Sequence, residues 1–419
     1  MKASDICGGI GMLSLEEAKE LLFKQIHELG LSAGQVEHVP LWEAGGRTLA
    51  EDIFAQEDVP SFDRSPVDGY AIKASDTTGA TETNPVTLKI MDTIAAGNCS
   101  TKVLAPGTAM RIFTGAPLPQ GADSIIKQEE VEAISGEILI KREVQPGESV
   151  AAKGEDIARG EFLIPKGTVL HPGHMGILAT LGISEVPVCK KPRIGVFSTG
   201  SELVEIQSEL RHGQLRVSNI YTLGEIIRQA GAIPVNLGVV KDRIEDVTNV
   251  YEKAARLKLP VVISTGGTST GDYDLIKEAM DLISSTRLFN KVAIRPGAPV
   301  IASVKEKQLL IGLSGNPAGA AVAMYILILP VIAKIVGTKK ELEKSRARLT
   351  DPYSREGGLR GFLWANYYEE NGCLYVTPHK NQFCGALKTF SQSNCLVEIQ
   401  AGKVSLNKGD LVDIWKLTG

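Results

Sequence analysis

Apolar residues in the stretch 13–30 recur at three- and four-residue intervals (Leu15, Ala18, Leu21, Leu22, Ile26, Leu29), a spacing that predicts one amphipathic helix. Ser14, with Glu17 three residues on, supplies its capping box, and Gly30 closes it. From about residue 85 to 150 the period shortens to two. The runs 86–91, 107–113, 124–131 and 137–144 alternate apolar with polar positions between glycines and prolines, which predicts a small all-β domain. Residues 174–188 then read as a helix and a strand returning to the first region, so the β domain is an insertion.

The pattern changes again over 192–336. Strands at 194–197, 234–237 and 261–264 alternate with helices at 220–230, 247–257 and 275–283, predicting a mostly parallel sheet with helices on both faces. The longest apolar run, 320–333, contains Pro330 and ends at Lys334. It is shorter than the roughly 20 residues that span a bilayer and reads as a buried helix. Beyond Gly337 strands return, and Glu370-Asn371-Gly372 between 362–368 and 373–379 signals a hairpin. The expected fold is multidomain α/β, with a central doubly wound, mostly parallel α/β domain at 188–336. Around it lie an N-terminal mixed region (1–55 and 155–187), the inserted β domain (56–154) and a C-terminal β domain (337–419).

A chain of 419 residues, 43% hydrophobic and 22% charged, has material for two to four cores. Its formal net charge of -4 argues against nucleic acid as the main partner. Six cysteines without a C-x-x-C and six histidines without ligand spacing suggest neither a zinc site nor a disulfide framework. With no secretory signal pattern at the N-terminus, a reducing cytoplasm and no membrane span are expected.

Open α/β sheets bind ligands beyond the carboxyl ends of their strands. Four loops should converge there: 198–203, 239–242, 264–274 and 312–317. Two of them repeat a theme of Ser/Thr, Gly and an acid, in Ser198-Thr199-Gly200-Ser201-Glu202 and again between Ser264 and Asp274. Glycines let backbone N–H groups approach an anion, whereas Asp272 and Asp274 oppose a bare one. A phosphate sits beside those acids comfortably only with a divalent cation between, so the loops point to a phosphorylated, Mg2+-assisted substrate. Neither a Walker nor a Rossmann glycine pattern occurs. Each loop taken singly also fits a capped turn, and Asp242 fits the cap of the next helix. Asp63, Arg64 and Asp68, in a polar loop outside the α/β domain, fit either a surface turn or a site.

With these loops assembled, the chain resembles the molybdopterin molybdenumtransferase family, the MoeA proteins and the E domain of gephyrin. Seven blocks match in order over almost the whole length: SFDRSPVDGYAI, TGAPLPQGADSII, KGEDI, GVFSTGSEL, VVISTGGTSTGDYD, KVAIRPGAPV and GLSGNPAGA. The resemblance implies a homodimer of elongated, four-domain subunits that inserts molybdate into adenylylated molybdopterin, releasing AMP and requiring Mg2+. Carried over by motif, Glu202, Asp242 and Asp274 fall on the acidic site residues, with Glu202 and Asp274 as the Mg2+ ligands. Asp68 is the acid of the DGY loop, Thr114 the threonine of TGAP and Lys291 the lysine before the RPG motif. Substrate contacts are expected from Thr114, Ser198, Thr199, Gly200, Gly266, Gly267, Ser269, Arg295, Ser314, Gly315, Asn316 and Pro317. In the family the DGY loop reaches the cleft of the other subunit. Implied partners are a molybdopterin adenylyltransferase and molybdoenzyme-maturation proteins.

Three departures stand out. Arg295-Pro296-Gly297-Ala298-Pro299 replaces the common KPGKP, Ser314 replaces a proline of GLPGNP, and Ser218-Asn219 lacks the acid that usually precedes. Arg for Lys changes donor geometry and Ala298 removes a cation, leaving molybdate against tungstate open. Two other readings stay open from the sequence: a molybdopterin adenylyltransferase, which shares the α/β domain, and a non-catalytic gephyrin-like scaffold.

Overall fold

The computed structural model describes residues 12–31, 35–268, 275–338 and 341–417. The chain divides into two compact units, one within 1–38, 167–169 and 187–419, the other within 39–166 and 170–186. The larger unit opens with helix α1 (Leu15–Glu28), which buries Leu15, Ala18, Leu22 and Ile26. The capping box forms as the sequence predicts: Glu17 N–H donates to Ser14 Oγ at 3.2 Å, and Ser14 N–H donates to Glu17 Oε2 at 2.8 Å.

The smaller unit is built on strands β1 (Gly69–Ile72), β2 (Val86–Ile94), β3 (Thr108–Ile112), β4 (Ser124–Lys127), β5 (Val131–Ile134) and β6 (Glu137–Ile140). They form one sheet in the order β4-β1-β3-β2-β6-β5. Side chains alternate between two apolar layers, with Tyr70, Ile72, Leu88 and Ile126 in one and Ala71, Met110, Ile112 and Ile125 in the other. Helix α2 (Pro172–Thr180) follows in the same unit.

In the larger unit β7 (Arg193–Thr199), α3 (Asn219–Gln229), β8 (Ile233–Val240), α4 (Ile244–Arg256), β9 (Val261–Thr265) and α5 (Leu275–Leu282) keep the predicted alternation. Three strands then follow that the periodicity did not separate: β10 (Thr286–Lys291), β11 (Pro299–Lys305) and β12 (Gln308–Leu313). The sheet order is β8-β7-β9-β12-β11-β10. It is parallel from β8 to β12, while β11 runs antiparallel to both β12 and β10. One face packs on α1 and α3, the other on α4 and α5. Register aligns Ser198 with Val239 and Thr265, and Thr265 with Leu313. Four carboxyl ends are therefore level, and their loops leave the sheet together.

Helices α6 (Pro317–Ala323) and α7 (Leu329–Val336) flank a π-helical turn at Met324–Ile328. Pro330 has no N–H to give the preceding turn, and the ladder widens just ahead of it. The whole helix Pro317–Val336 reaches 20 residues, longer than the apolar run alone indicates, and meets the length and composition of a membrane span, yet its apolar window is 89% buried within the protein. The RPG segment lies against α6. Gly297 has φ 97°, and a Cβ there would come within 2.6 Å of the Gly319 carbonyl. Gly297→Ala is therefore expected to cost about 3 kcal/mol through strain and overlap, read as a lower midpoint in urea unfolding; an unchanged midpoint would refute this packing.

The C-terminal strands β13 (Lys344–Leu349), β14 (Arg360–Glu370), β15 (Cys373–Pro378), β16 (Cys395–Ile399) and β17 (Leu411–Lys416) close on themselves as β14-β15-β13-β17-β16 and back to β14. The hairpin between β14 and β15 turns at Asn371 (φ 51°) and Gly372 (φ 73°), the positive-φ pair that a two-residue turn requires. Arg360 joins this barrel to α1, pairing with buried Glu398 and with Glu16.

Candidate functional site

Beyond the level strand ends lies a cleft of about 1130 Å³. Its wall includes Ser198 and Thr199 at the end of β7, Gly200 and Glu202 just beyond it, Asp242 after β8, and Gly266 and Gly267 after β9. Ser314, Gly315, Asn316 and Pro317, between β12 and α6, complete this group. Eleven of the expected residues thus share one concavity.

Asp242 is not the cap of α4. That position belongs to Arg243. The Asp242 carboxylate instead accepts the Thr199 hydroxyl at 2.7 Å on Oδ1 and the Ser201 N–H at 2.8 Å on Oδ2. Both oxygens are thereby spent on holding the loop that carries Glu202. Glu202 is exposed at the cleft, and its carboxylate has no hydrogen-bond donor among the described residues. Its two oxygens lie so close over Gly200 that a Cβ there would stand 2.8 Å from one and 2.9 Å from the other.

The floor is held by buried hydroxyls. Ser198 Oγ and Thr265 Oγ1 share a hydrogen bond of 2.8 Å between adjacent strand ends. Gly266 turns the chain at φ 92°, where a Cβ would come within 2.1 Å of the Thr199 carbonyl. No side chain fits at that crossing. On the far wall Asn316 N–H donates to Ser314 Oγ at 3.3 Å, which gives Ser314 a turn-forming role at the cleft rim.

Several of the expected site residues fall elsewhere. Ser269, Asp272 and Asp274 lie outside the described residues. Lys291 and Arg295 are exposed but are not among the residues lining the cleft, and Arg295 Nη1 donates to the Glu356 carbonyl at 3.0 Å. Conversely, sequence reasoning did not single out Arg216, Asn219, Thr265, Thr268, Gly385 or Leu387 as site residues, and all of them line it. Arg216 is the one Lys or Arg in the described wall. Asn219 Nδ2 donates to the Gly315 carbonyl at 2.9 Å, tying the start of α3 to the opposite loop. The Ser-Asn pair at 218–219 was the available signal for this tie.

Asp68 and Thr114 belong to the smaller unit. Gly69 stands opposite Ile112 in the β1–β3 register, which sets the residues just outside side by side. Asp68 Oδ1 accepts both the Thr114 N–H and its hydroxyl at 2.8 Å. Those two donors, the N–H foremost, hold the Asp68 carboxyl below the usual aspartate range, with Arg111 adding to them. Because the folded pKa is the lower one, the contribution to stability is full above the ordinary aspartate pKa and vanishes as pH falls through the lowered value. Thr114→Val removes the hydroxyl alone and is expected to raise the Asp68 pKa toward normal in a carboxyl-carbon NMR titration; an unmoved midpoint would discard this account.

Comparison with known proteins covers both units. Three family models match in order: the MoeA N-terminal region (domain I and II) at 13–182, a probable molybdopterin binding domain at 195–334, and the MoeA C-terminal region (domain IV) at 346–417. The chain is 34% identical over 386 residues to the molybdopterin molybdenumtransferase of Bacillus subtilis, covering 91% of this chain and 90% of that protein. It is 33% identical over 380 residues to the protein of that name from Staphylococcus aureus, covering 90% of each. A solved structure of the molybdopterin biosynthesis MoeA protein of Pyrococcus horikoshii superposes with a TM-score of 0.86 at 33% identity, covering 98% of this chain and all of that one. With its N-terminal, molybdopterin-binding and C-terminal regions all matched, the chain belongs to the MoeA family of molybdopterin molybdenumtransferases.

Proposed function

We propose that this protein is a transferase of molybdenum cofactor biosynthesis that inserts molybdate into adenylylated molybdopterin and releases AMP, with Mg2+, as a cytoplasmic homodimer. The observation that carries the reading is the cleft at the level strand ends. It combines an open carboxylate at Glu202, a loop locked by Asp242, and a volume of about 1130 Å³, room enough for a nucleotide joined to a pterin. The match to the curated transferases over 90% or more of this chain supports it over an adenylyltransferase, which would need the α/β domain alone. Cys99, Cys373, Cys384 and Cys395 are free thiols, which suits a reducing compartment.

The described residues fit Mg2+ in a limited way. Among them no group of three His, Cys, Asp or Glu side chains converges. Mg2+ commonly takes one or two carboxylates and fills its shell with water and substrate phosphate, so Glu202, with Asp274 as its expected companion, would suffice to hold it. When bound it supplies screening of negative charge between phosphoanhydride and oxyanion. The chain's own part is positional. Asp242 fixes the Thr199–Glu202 loop, Ser198 and Thr265 lock the floor, and Arg216 brings the wall's described cation toward an anionic substrate.

The deciding experiment incubates the purified protein with adenylylated molybdopterin, molybdate and Mg2+ and follows AMP. Molybdate-dependent AMP release is expected, and tungstate in place of molybdate reports the oxyanion preference. ATP consumption with free molybdopterin would favour the adenylyltransferase, and neither activity would favour a scaffold.

A further inference from the structure

The C-terminal barrel contributes a segment to the cleft. After β15 the chain runs through residues 379–387, whose Gly385 and Leu387 line the wall opposite Glu202's loop. Besides the His379 N–H to the Trp364 carbonyl at 3.0 Å and the Thr389 hydroxyl to the Asn381 carbonyl at 3.0 Å, two connections set the path of this segment toward the cleft. The first is the half-buried amide of Gln382: its Nε2 donates to the carbonyls of Trp364 at 2.9 Å and His379 at 2.7 Å, and its Oε1 accepts Trp364 N–H at 3.1 Å. The assigned pairing of β15 with β14 ends at Ala365 and Pro378, and just beyond it the His379 N–H (3.0 Å) and the Gln382 amide both donate to the Trp364 carbonyl, while the amide oxygen takes the Trp364 N–H, so the side chain extends the ladder past the last backbone bond.

The second connection reaches the other domain. The Cys384 carbonyl accepts N–H groups from Ala318 at 2.8 Å and Gly319 at 3.3 Å, at the start of α6. These are free donors of a helix N-terminus that its own N-cap ordinarily serves. Here the N-cap residue, Asn316, makes no side-chain cap bond. The cap comes from the barrel instead, and Asn316 is left exposed in the cleft wall.

From this arrangement we infer that Gln382 is a positioning residue for the cleft: it fixes residues 379–387 so that the Cys384 carbonyl caps α6 and holds Gly315, Asn316 and Pro317 in place. Its contact with the site is indirect, through the carbonyl and the helix start. Loss of the Gln382 amide releases the cap, and the wall that receives substrate loosens while Glu202 and Asp242, on the other side, keep their geometry. This inference rests on the transferase reading for its kinetic arm only.

The test compares Gln382→Ala and the near-isosteric Gln382→Glu, which keeps the acceptor for Trp364 N–H and loses both donors. Hydrogen exchange at the Ala318 and Gly319 amides is expected to quicken about tenfold in both variants while the β1–β6 sheet is unchanged. The KM for adenylylated molybdopterin is expected to rise about tenfold with kcat within about twofold, the signature of lost ground-state binding. A merely structural Gln382 would lower the melting temperature and the active fraction but leave KM and local exchange as in the parent. That result, in whichever variant folds, overturns the proposal. Absence of AMP release by the unmodified protein would instead overturn the transferase reading, and the exchange comparison would still decide the role of Gln382.

Discussion

Asp242→Ala is expected to lower kcat/KM for AMP release by about 100-fold or more, equivalent to about 2.7 kcal/mol of transition-state stabilisation, while leaving the melting temperature within a few degrees. Its carboxylate is exposed and fills no core, so removal opens no cavity. What it does hold is the path of the Thr199–Glu202 loop, through one bond of 2.7 Å to a hydroxyl and one of 2.8 Å to a backbone N–H. Without both anchors Glu202 loses its fixed position, and displacement of about 1 Å is enough to cost two orders of magnitude. Glu202→Ala should match that loss, because it deletes the open carboxylate that Asp242 positions. Asp242→Asn should fall between, since its amide offers one acceptor and sets a donor against the other anchor. Activity of Asp242→Ala within threefold of the parent would end the claim that this loop is built around its acid.

The ambiguity at Asp242 shows where sequence reading stops. Whether it capped α4 or served the cleft depended on a helix boundary one residue away, finer than periodicity resolves. The capping box at Ser14, the Asn371-Gly372 turn and the alternation through α5 were legible because each is written in residues close in sequence. Strands β10 to β12 were not separated, because the runs after α5 are short and are interrupted by Pro296, Gly297 and Pro299 and again by Gly315 and Pro317. Their antiparallel pairing makes the sheet mixed at one edge. The cleft residues at strand ends were readable from the general rule for open α/β sheets. Asn219, Gly385 and Leu387 were not, since their place in the wall depends on tertiary contacts: Asn219 reaches Gly315, and Cys384 reaches Ala318. Periodicity carries no record of such pairs.

Mixing two inactive variants, Asp68→Ala and Glu202→Ala, is expected to restore about a quarter of the parent activity, the largest gain any combination here should show. Asp68 is anchored at the end of its loop. Its carboxylate is kept ionised and oriented by Thr114, an arrangement more specific than a surface turn needs. Yet it sits in the smaller unit, whereas Glu202 and Asp242 line a cleft built wholly from the larger one. If a homodimer brings the DGY loop of one subunit to the cleft of the other, each mixed dimer carries one cleft with both acids and one with neither. Random exchange makes about half of the dimers mixed, and one cleft in two of those is intact, giving about one quarter. Asp68→Ala with Asp242→Ala should behave alike, because Asp242 and Glu202 serve the same cleft, while Glu202→Ala with Asp242→Ala should restore nothing. That last pairing separates true complementation across subunits from general stabilisation on mixing. No recovery in the first two mixtures, with subunit exchange verified by mass, would place Asp68 in the cleft of its own chain or outside catalysis.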